Sequence, residues 1–148
     1  MEKIKEELAN LTPVTADQLK AMVPAQLMST PHSDLDVSTS TGASIASADY
    51  KINDSTKIKL NIIDCAGPGG AGIYSLQYLG MMNVQEDTDE EYTKTIDFSA
   101  AKAFEHCDKT SNECSFTYFA RNRFLVSLEG DGVKIDALKQ AAKGLDIK

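Results

Sequence analysis

The stretch NIIDCAGPGGAGIYS, running from Asn61 to Ser75, holds Gly67, Gly69 and Gly72 in the spacing G-x-G-x-x-G. That spacing serves a dinucleotide when it joins a central parallel strand to a crossover helix. The glycines then let the backbone approach the pyrophosphate, and the helix N-terminus favours its charge. Asp64 and Cys65 stand just before the glycines, and acidic residues follow about 20 positions on, where a ribose-binding carboxylate belongs. The preceding run KIKLNIID, however, alternates Ile58, Leu60 and Ile62 with Lys57, Lys59 and Asn61. One apolar and one wet face mark an antiparallel strand, whereas a central parallel strand is apolar on both. Pro68 removes an N–H from any phosphate cradle, and no Lys-Ser/Thr pair follows to make a P-loop. The stretch therefore reads as a mobile connection from a hairpin sheet to its covering helix. A small nucleotide- or phosphate-binding protein or enzyme using residues 67–72 is the alternative.

Soft metal ligands come next. His106, Cys107 and Cys114 lie close in sequence, and Cys65, the remaining cysteine, would be the fourth ligand of such a set. Neighbouring strand residues point to opposite faces, so His106 and Cys107 do not converge on one ion. With no CxxC pair and no HxxxH, no metal site is expected. Cys107 and Cys114 bracket the turn-forming DKTSNE between two strand-like runs, which places their sulfurs within reach of a disulfide. Such a bridge implies an oxidising compartment; two free thiols on adjacent strands are the alternative. The carboxylates Glu86, Asp87, Asp89, Glu90 and Glu91 lack the glycine and the bidentate Glu of an EF-hand and read as a solvated acidic loop. Neither histidine belongs to a nucleophilic arrangement and no G-x-S-x-G elbow occurs. No catalytic residue and no cofactor is expected.

The elements that carry these residues follow from length and pattern. A chain of 148 residues with 42% hydrophobic and 25% charged residues makes one globular domain with its own core. The net charge of −7 repels phosphate backbones and argues against nucleic acid. No apolar run reaches the roughly 18 residues of a membrane span. The start MEKIKEELANL is charged, with Ile4, Leu8 and Leu11 on one stripe, and lacks a signal peptide's apolar core. It fits a cytoplasmic chain, and equally an exported one whose export segment was removed and replaced by Met. Residues 1–11 are thus expected to be a charged leader or tether and residues 12–148 a single α+β domain.

Thr15 opens a capping box with Gln18 and a helix that ends near Pro24. SIASADYKI and KIKLNIID are strands joined at Asn53-Asp54-Ser55. GIYSLQYLGMM places Ile73, Leu76, Leu79 and Met82 at helical spacing. YTKTIDF, AAKAFEHC, CSFTYFA and FLVSLEG are strands, and Asn122 in the RNR turn suits a left-handed backbone. The last segment is a helix with Ile135, Leu138, Ala142 and Leu145 on one face and Gly144 as its left-handed terminator. Runs of strands between helices predict an α+β fold, an antiparallel sheet of six to seven strands covered by helices in the order α-βββ-α-ββββ-α. Phe119 and Leu125 fall on the face opposite their strands' main apolar set. They make either a second buried layer or an exposed patch for a partner.

VTADQLKAMVPAQL, ADYKI with KIKLNIIDCAG, GIYSLQYLGMMN and the closing RNRFLVSLEGDGVKIDALKQAAKGLDIK together resemble uncharacterised bacterial exported proteins, which are often lipid-anchored. The resemblance implies export and a helix-covered antiparallel sheet, with no functional residues to carry over. The function expected is a non-enzymatic periplasmic, cell-surface or secreted domain that binds a protein or small molecule on its sheet. Membrane attachment would come only through a removed N-terminal anchor.

Overall fold

The computed structural model of the chain describes residues 2–27, 29–39, 43–78, 86–98 and 101–145. The chain begins with helices α1 (Glu2–Ala9) and α2 (Ala16–Met22), then a small ladder of β1 (Gln26–Leu27) with β2 (Thr30–Pro31). Strands β3 (Ser33–Ser38), β4 (Ser44–Asn53) and β5 (Thr56–Asp64) follow and lead into α3 (Gly67–Ile73), which continues as a π-helical turn, Tyr74–Tyr78. Next come β6 (Glu86–Asp87), β7 (Glu91–Phe98), β8 (Ala101–Asp108), β9 (Glu113–Ala120), β10 (Phe124–Asp131) and helix α4 (Ile135–Gly144). The eight-stranded main sheet has the order β3-β4-β5-β10-β9-β8-β7-β6, and every pairing is antiparallel. The α+β class and antiparallel sheet match the sequence pattern. The strand count rises because β6 joins the sheet edge as a two-residue strand too short to show a period.

Local chemistry explains the ends of these elements. Thr15 Oγ1 accepts from the Gln18 N–H while Gln18 Oε1 accepts from the Thr15 N–H, the reciprocal capping box that starts α2. Asn53 Oδ1 accepts from Ser55 N–H at the β4–β5 turn. In the three-residue β9–β10 connection Arg121 and Asn122 both adopt positive φ, 56° and 53°, and the Arg123 N–H closes the turn on the Ala120 carbonyl.

The sheet has two faces with different fates. On the first, Ala46, Ala48, Tyr50, Ile58, Leu60, Ile62, Phe116, Tyr118, Val126 and Leu128 are buried beneath Leu19 of α2 and Leu138, Ala141 and Ala142 of α4. The alternation that made Ile58, Leu60 and Ile62 inward-facing is visible directly in this layer. On the second face a smaller cluster joins Phe104, Phe119, Leu125, Cys65, Ala71, Tyr74, Tyr78 and Leu8. Helices α1 and α3 pack together over one half of that face.

Four expectations are corrected. Phe119 and Leu125 are not an exposed patch: they are 5% and 2% exposed, because the α3 region lays Tyr74 and Tyr78 across Phe119, with ring centroids 4.8 and 5.0 Å away. Residues 1–11 are not a free tether over their described length, since Leu8 is 1% exposed and α1 packs on α3. Leu76 does not face inward. The π-helical turn aims Tyr74 and Tyr78 at the sheet, so Leu76, midway between them, is 81% exposed. Leu79 and Met82 lie outside the described residues. Gly144 does not terminate α4 by a left-handed turn. The helix runs through it, and Leu145 leaves in an extended conformation with its N–H bonded to the Ala142 carbonyl.

Candidate functional site

At the end of β5, where the glycine stretch begins, Asp64 is wholly buried. Its carboxylate accepts from Arg123 Nε at 2.8 Å and Arg123 Nη2 at 3.0 Å, a two-pronged grip. It also accepts from the Val14 N–H at 2.7 Å and the Ala66 N–H at 3.2 Å. Arg123 Nη2 further donates to the Thr12 carbonyl, and Ser44 Oγ donates to the Val14 carbonyl. Donation to the Asp64 carboxylate holds the Arg123 guanidinium still more firmly protonated. This carboxylate thus fastens the segment between α1 and α2 to the sheet end, and all its lone pairs are turned toward protein groups.

The glycine stretch is shaped by packing. Gly67 turns the chain at φ +83°, a conformation that favours glycine, and Pro68 then suits the first helical turn. A Cβ on Gly70 would come within 2.7 Å of both Cα and the carbonyl oxygen of Cys65, so α3 can lie against the strand end only with glycine there. At Gly72 a Cβ would meet nothing within 4 Å. Gly70, where the Cys65 contact arises, lies outside the G-x-G-x-x-G positions, and the neighbours of β5 are antiparallel on both sides. The stretch lacks the parallel crossover that aims a helix at a pyrophosphate. Cys65 beside it is buried, and burial together with the neighbouring Asp64 pushes its thiol up from 9.0 to about 12. Such a thiol stays protonated and unreactive at neutral pH.

Cys107 and Cys114 are opposed residues of β8 and β9 and form a disulfide, with Cα atoms 4.0 Å apart. His106 points to the other face, where Thr93 Oγ1 lies 2.8 Å from its Nδ1 and Glu91 lies 3.7 Å from its Nε2. The acidic loop folds as a hairpin: Thr88 Oγ1 accepts from the Glu90 and Glu91 N–H groups, and Lys109 Nζ donates to Asp87 and to the Thr88 carbonyl. No group of three or more potential metal ligands occurs among the described residues.

What the sequence did not disclose is the uncovered half of the second face. Register stacks its residues in rows across the strands. One row reads Ser47, Asn61, Ser127, Thr117, the next Asp49, Lys59, Glu129, Ser115, His106, and the last Lys51, Lys57, Asp131, Glu113, Asp108. The first row is small and polar, with Thr117 and Ser127 hydroxyls 3.3 Å apart. The other two border a shallow groove of about 410 Å³ lined by Lys57, Lys59, His106, Glu113, Ser115 and Glu129 among others. Lys57 and Lys59 were legible as the wet side of β5. Their meeting with Glu129 and Asp131 depends on β10 returning beside β5 from more than 60 residues away, and no local pattern carries that pairing.

No family model, no curated protein and no solved structure matches the chain.

Proposed function

We propose that this chain is a non-catalytic binding domain of an oxidising, extracytoplasmic compartment, and that its contact surface is the polar, helix-free half of the sheet. The observation that carries the reading is the groove itself. Apart from it, the sheet's apolar surface is packed under helices, and no buried side-chain nitrogen or oxygen among the described residues lacks a partner. The ionisable groups moved furthest from their ordinary values are the buried Cys65, Tyr50 and Tyr118, all pushed upward by burial and away from acid–base work near neutral pH. The Cys107–Cys114 bridge supports the compartment.

Photo-crosslinking groups placed singly at Ser115, on the open half, and at Gly72, on α3, test the surface in the native compartment. Crosslinks from Ser115 and none from Gly72 are expected. The reverse pattern, or a rise in melting temperature with millimolar ATP or NAD(P) that a bulky residue at Gly69 abolishes, transfers function to the glycine stretch and overturns the reading. Thiol-blocking mass spectrometry on the native protein is expected to find Cys107 and Cys114 blocked to reagent, and free thiols there would overturn the compartment.

A further inference from the structure

Accepting that the open half is a contact surface, we infer that the Cys107–Cys114 disulfide is its redox latch. The bridge holds β8 against β9 despite a row of carboxylates on the opposite face, and a dithiol releases it. The groove and the bridge share one hairpin. His106 and Asp108 flank Cys107, Glu113 and Ser115 flank Cys114, and all four line the groove. Neighbouring strand residues face opposite ways, so the sulfurs cross the β8–β9 seam on the reverse of the groove floor.

Register lines up carboxylates at this end of the sheet. Glu91 is opposite Asp108, Asp108 opposite Glu113, and Glu113 opposite Asp131, on the adjacent strands β7, β8, β9 and β10. Like charges directly opposite each other weaken a strand pair, and here such couples stand in series. They do not converge as ligands would, since no group of three or more potential metal ligands occurs among the described residues. The neighbouring cations leave the centre of the row uncovered. Lys57 stands beyond Asp131 at one end, and Lys109 is turned away to Asp87 and the Thr88 carbonyl. His106, one row in, is engaged by Thr93 and lies 3.7 Å from Glu91, at the other end. Asp108 accepts from Thr110 and Ser111 of its own turn, which fixes it in the row. None of the ion pairs among the described residues includes Asp108, Glu113 or Asp131. Glu113 thus has a carboxylate on either side.

The backbone decides which seam gives way. Lys109 N–H donates to the Glu90 carbonyl, tying the end of β8 to β7, and Gly132 N–H donates to the Asn112 carbonyl, tying the start of β9 to β10. Past the cysteines the β8–β9 ladder holds only the couple Asp108 with Glu113, and that couple is repulsive. Without the bridge, β8 stays with β7 and β9 with β10. The seam between them parts and carries His106 and Asp108 away from Glu113 and Ser115. The exchange itself follows from burial. Cys107 is 7% exposed whereas Cys114 is half-buried, so a dithiol's thiolate attacks Cys114 Sγ. The S–S bond breaks and Cys107 leaves as a thiolate, steadied by donation from the Tyr92 hydroxyl 3.3 Å from its Sγ. The second sulfur of the dithiol then displaces Cys114. The reductant ends as a disulfide, its two electrons pass to the bridge, and its two thiol protons end on Cys107 and Cys114.

Hydrogen exchange on the full chain, oxidised and then reduced with dithiothreitol, tests the latch. At about 0.01 M salt, reduction is expected to speed exchange in residues 106–115 about tenfold or more, while residues 58–63 and 124–128 stay protected. At about 1 M salt the Debye length falls to about 3 Å, and the reduced chain should recover most of that protection. Glu113→Gln keeps the shape and removes the repulsion on both sides of position 113, so the reduced variant should stay protected even at low salt. A bridge that only closes a loop would lose the same protection at both salt levels and in Glu113→Gln, and that pattern overturns the latch. So does a reduced wild-type chain that stays protected at low salt, or one that loses protection throughout the sheet. Photo-crosslinks from Ser115 separate the latch from the surface it regulates. Capture from the oxidised chain that disappears on reduction supports both. Capture that survives reduction leaves the surface standing and removes the latch. No capture from the oxidised chain overturns the surface and its regulation together.

Discussion

The second face of the sheet is two surfaces written on the same strands. Along β10, β9 and β5 the row Ile63, Leu125, Phe119 is apolar and lies under α1 and α3, whereas one pleat further the row Asn61, Ser127, Thr117 is polar and bare. Alternation decides which face a residue joins, and it treats both halves alike. Whether a helix covers a row is decided by the row's composition across strands that are distant in sequence. The closed half holds its cover through Tyr74 and Tyr78 over Phe119, through Tyr78 bonded at the start of β8 by its hydroxyl and Lys102, and through Asp64 fastening the α1–α2 segment. The open half has nothing for an apolar helix to bury.

Alkali gives the largest expected effect and falls on the closed side and the first-face core. Burial raises Cys65 from 9.0 to about 12 and Tyr50 from 10.0 to about 12, and raises Tyr74 and Tyr78 as well. Each group is neutral when folded, so its contribution is complete below its unfolded value and disappears as pH rises through the folded one. Stability is therefore expected to hold to about pH 9 and to fall steeply toward pH 12, with Cys65 and Tyr50 together accounting for roughly 7 kcal/mol once both have titrated. Urea melts at successive pH values measure it. A flat profile to pH 12 would mean that the closed half admits water.

Truncating one residue in each half compares them directly. Phe119→Ala is expected to cost about 3–5 kcal/mol and to lower Tm by about 10 °C, because the rings of Tyr74 and Tyr78 lose their common neighbour. Ser127→Ala, on the same face one strand over, is expected to change stability by less than about 0.5 kcal/mol. Equal effects would show that the open half is covered in solution. Asp64→Ala strips the partner from a half-buried guanidinium and leaves the Val14 N–H unmatched, at about 3–5 kcal/mol. Loss of order in residues 2–15 by hydrogen exchange should accompany it, and a protected α1 in that variant would show that packing on α3 alone holds the cover. Reducing Cys107–Cys114 reopens a small loop at the far end of the sheet and is expected to cost roughly 2.5 kcal/mol. It should leave the closed half's protection unchanged.

Much of the sheet's framework was legible. The capping box at Thr15, the turn at Asn53–Ser55, the inward set Ile58, Leu60, Ile62 and the left-handed Asn122 are all local signals, each written within a few residues. The bridge was legible because its two cysteines flank a single hairpin. What escaped depended on distance or on competition. Leu76 carries a helical period, but two tyrosines spaced four apart bury more surface, and a π-helical turn presents them instead. Arg123 as the partner of Asp64 sits 59 residues away, and the basic and acidic halves of the groove meet only through the β5–β10 pairing.

The smallest effects return to the glycines and separate packing from motif. Gly70→Ala drives a methyl into the Cys65 backbone, and a helix resting on a strand end has no flexible neighbour to yield. About 1–3 kcal/mol of destabilisation is expected, with Cys65 becoming accessible to thiol reagent. Gly72→Ala lies inside the same helix with open space around its Cβ and no left-handed backbone. There alanine removes unfolded-state freedom and improves helix propensity, so a gain of about 0.5–1 kcal/mol is expected. A dinucleotide loop would give the opposite order, with the motif glycine Gly72 intolerant and Gly70 permissive. Thermal melts of the two variants therefore weigh Gly70 as a lock between α3 and the sheet against the Gly67, Gly69, Gly72 spacing as a phosphate cradle. The close approach at Cys65 places the constraint on the lock.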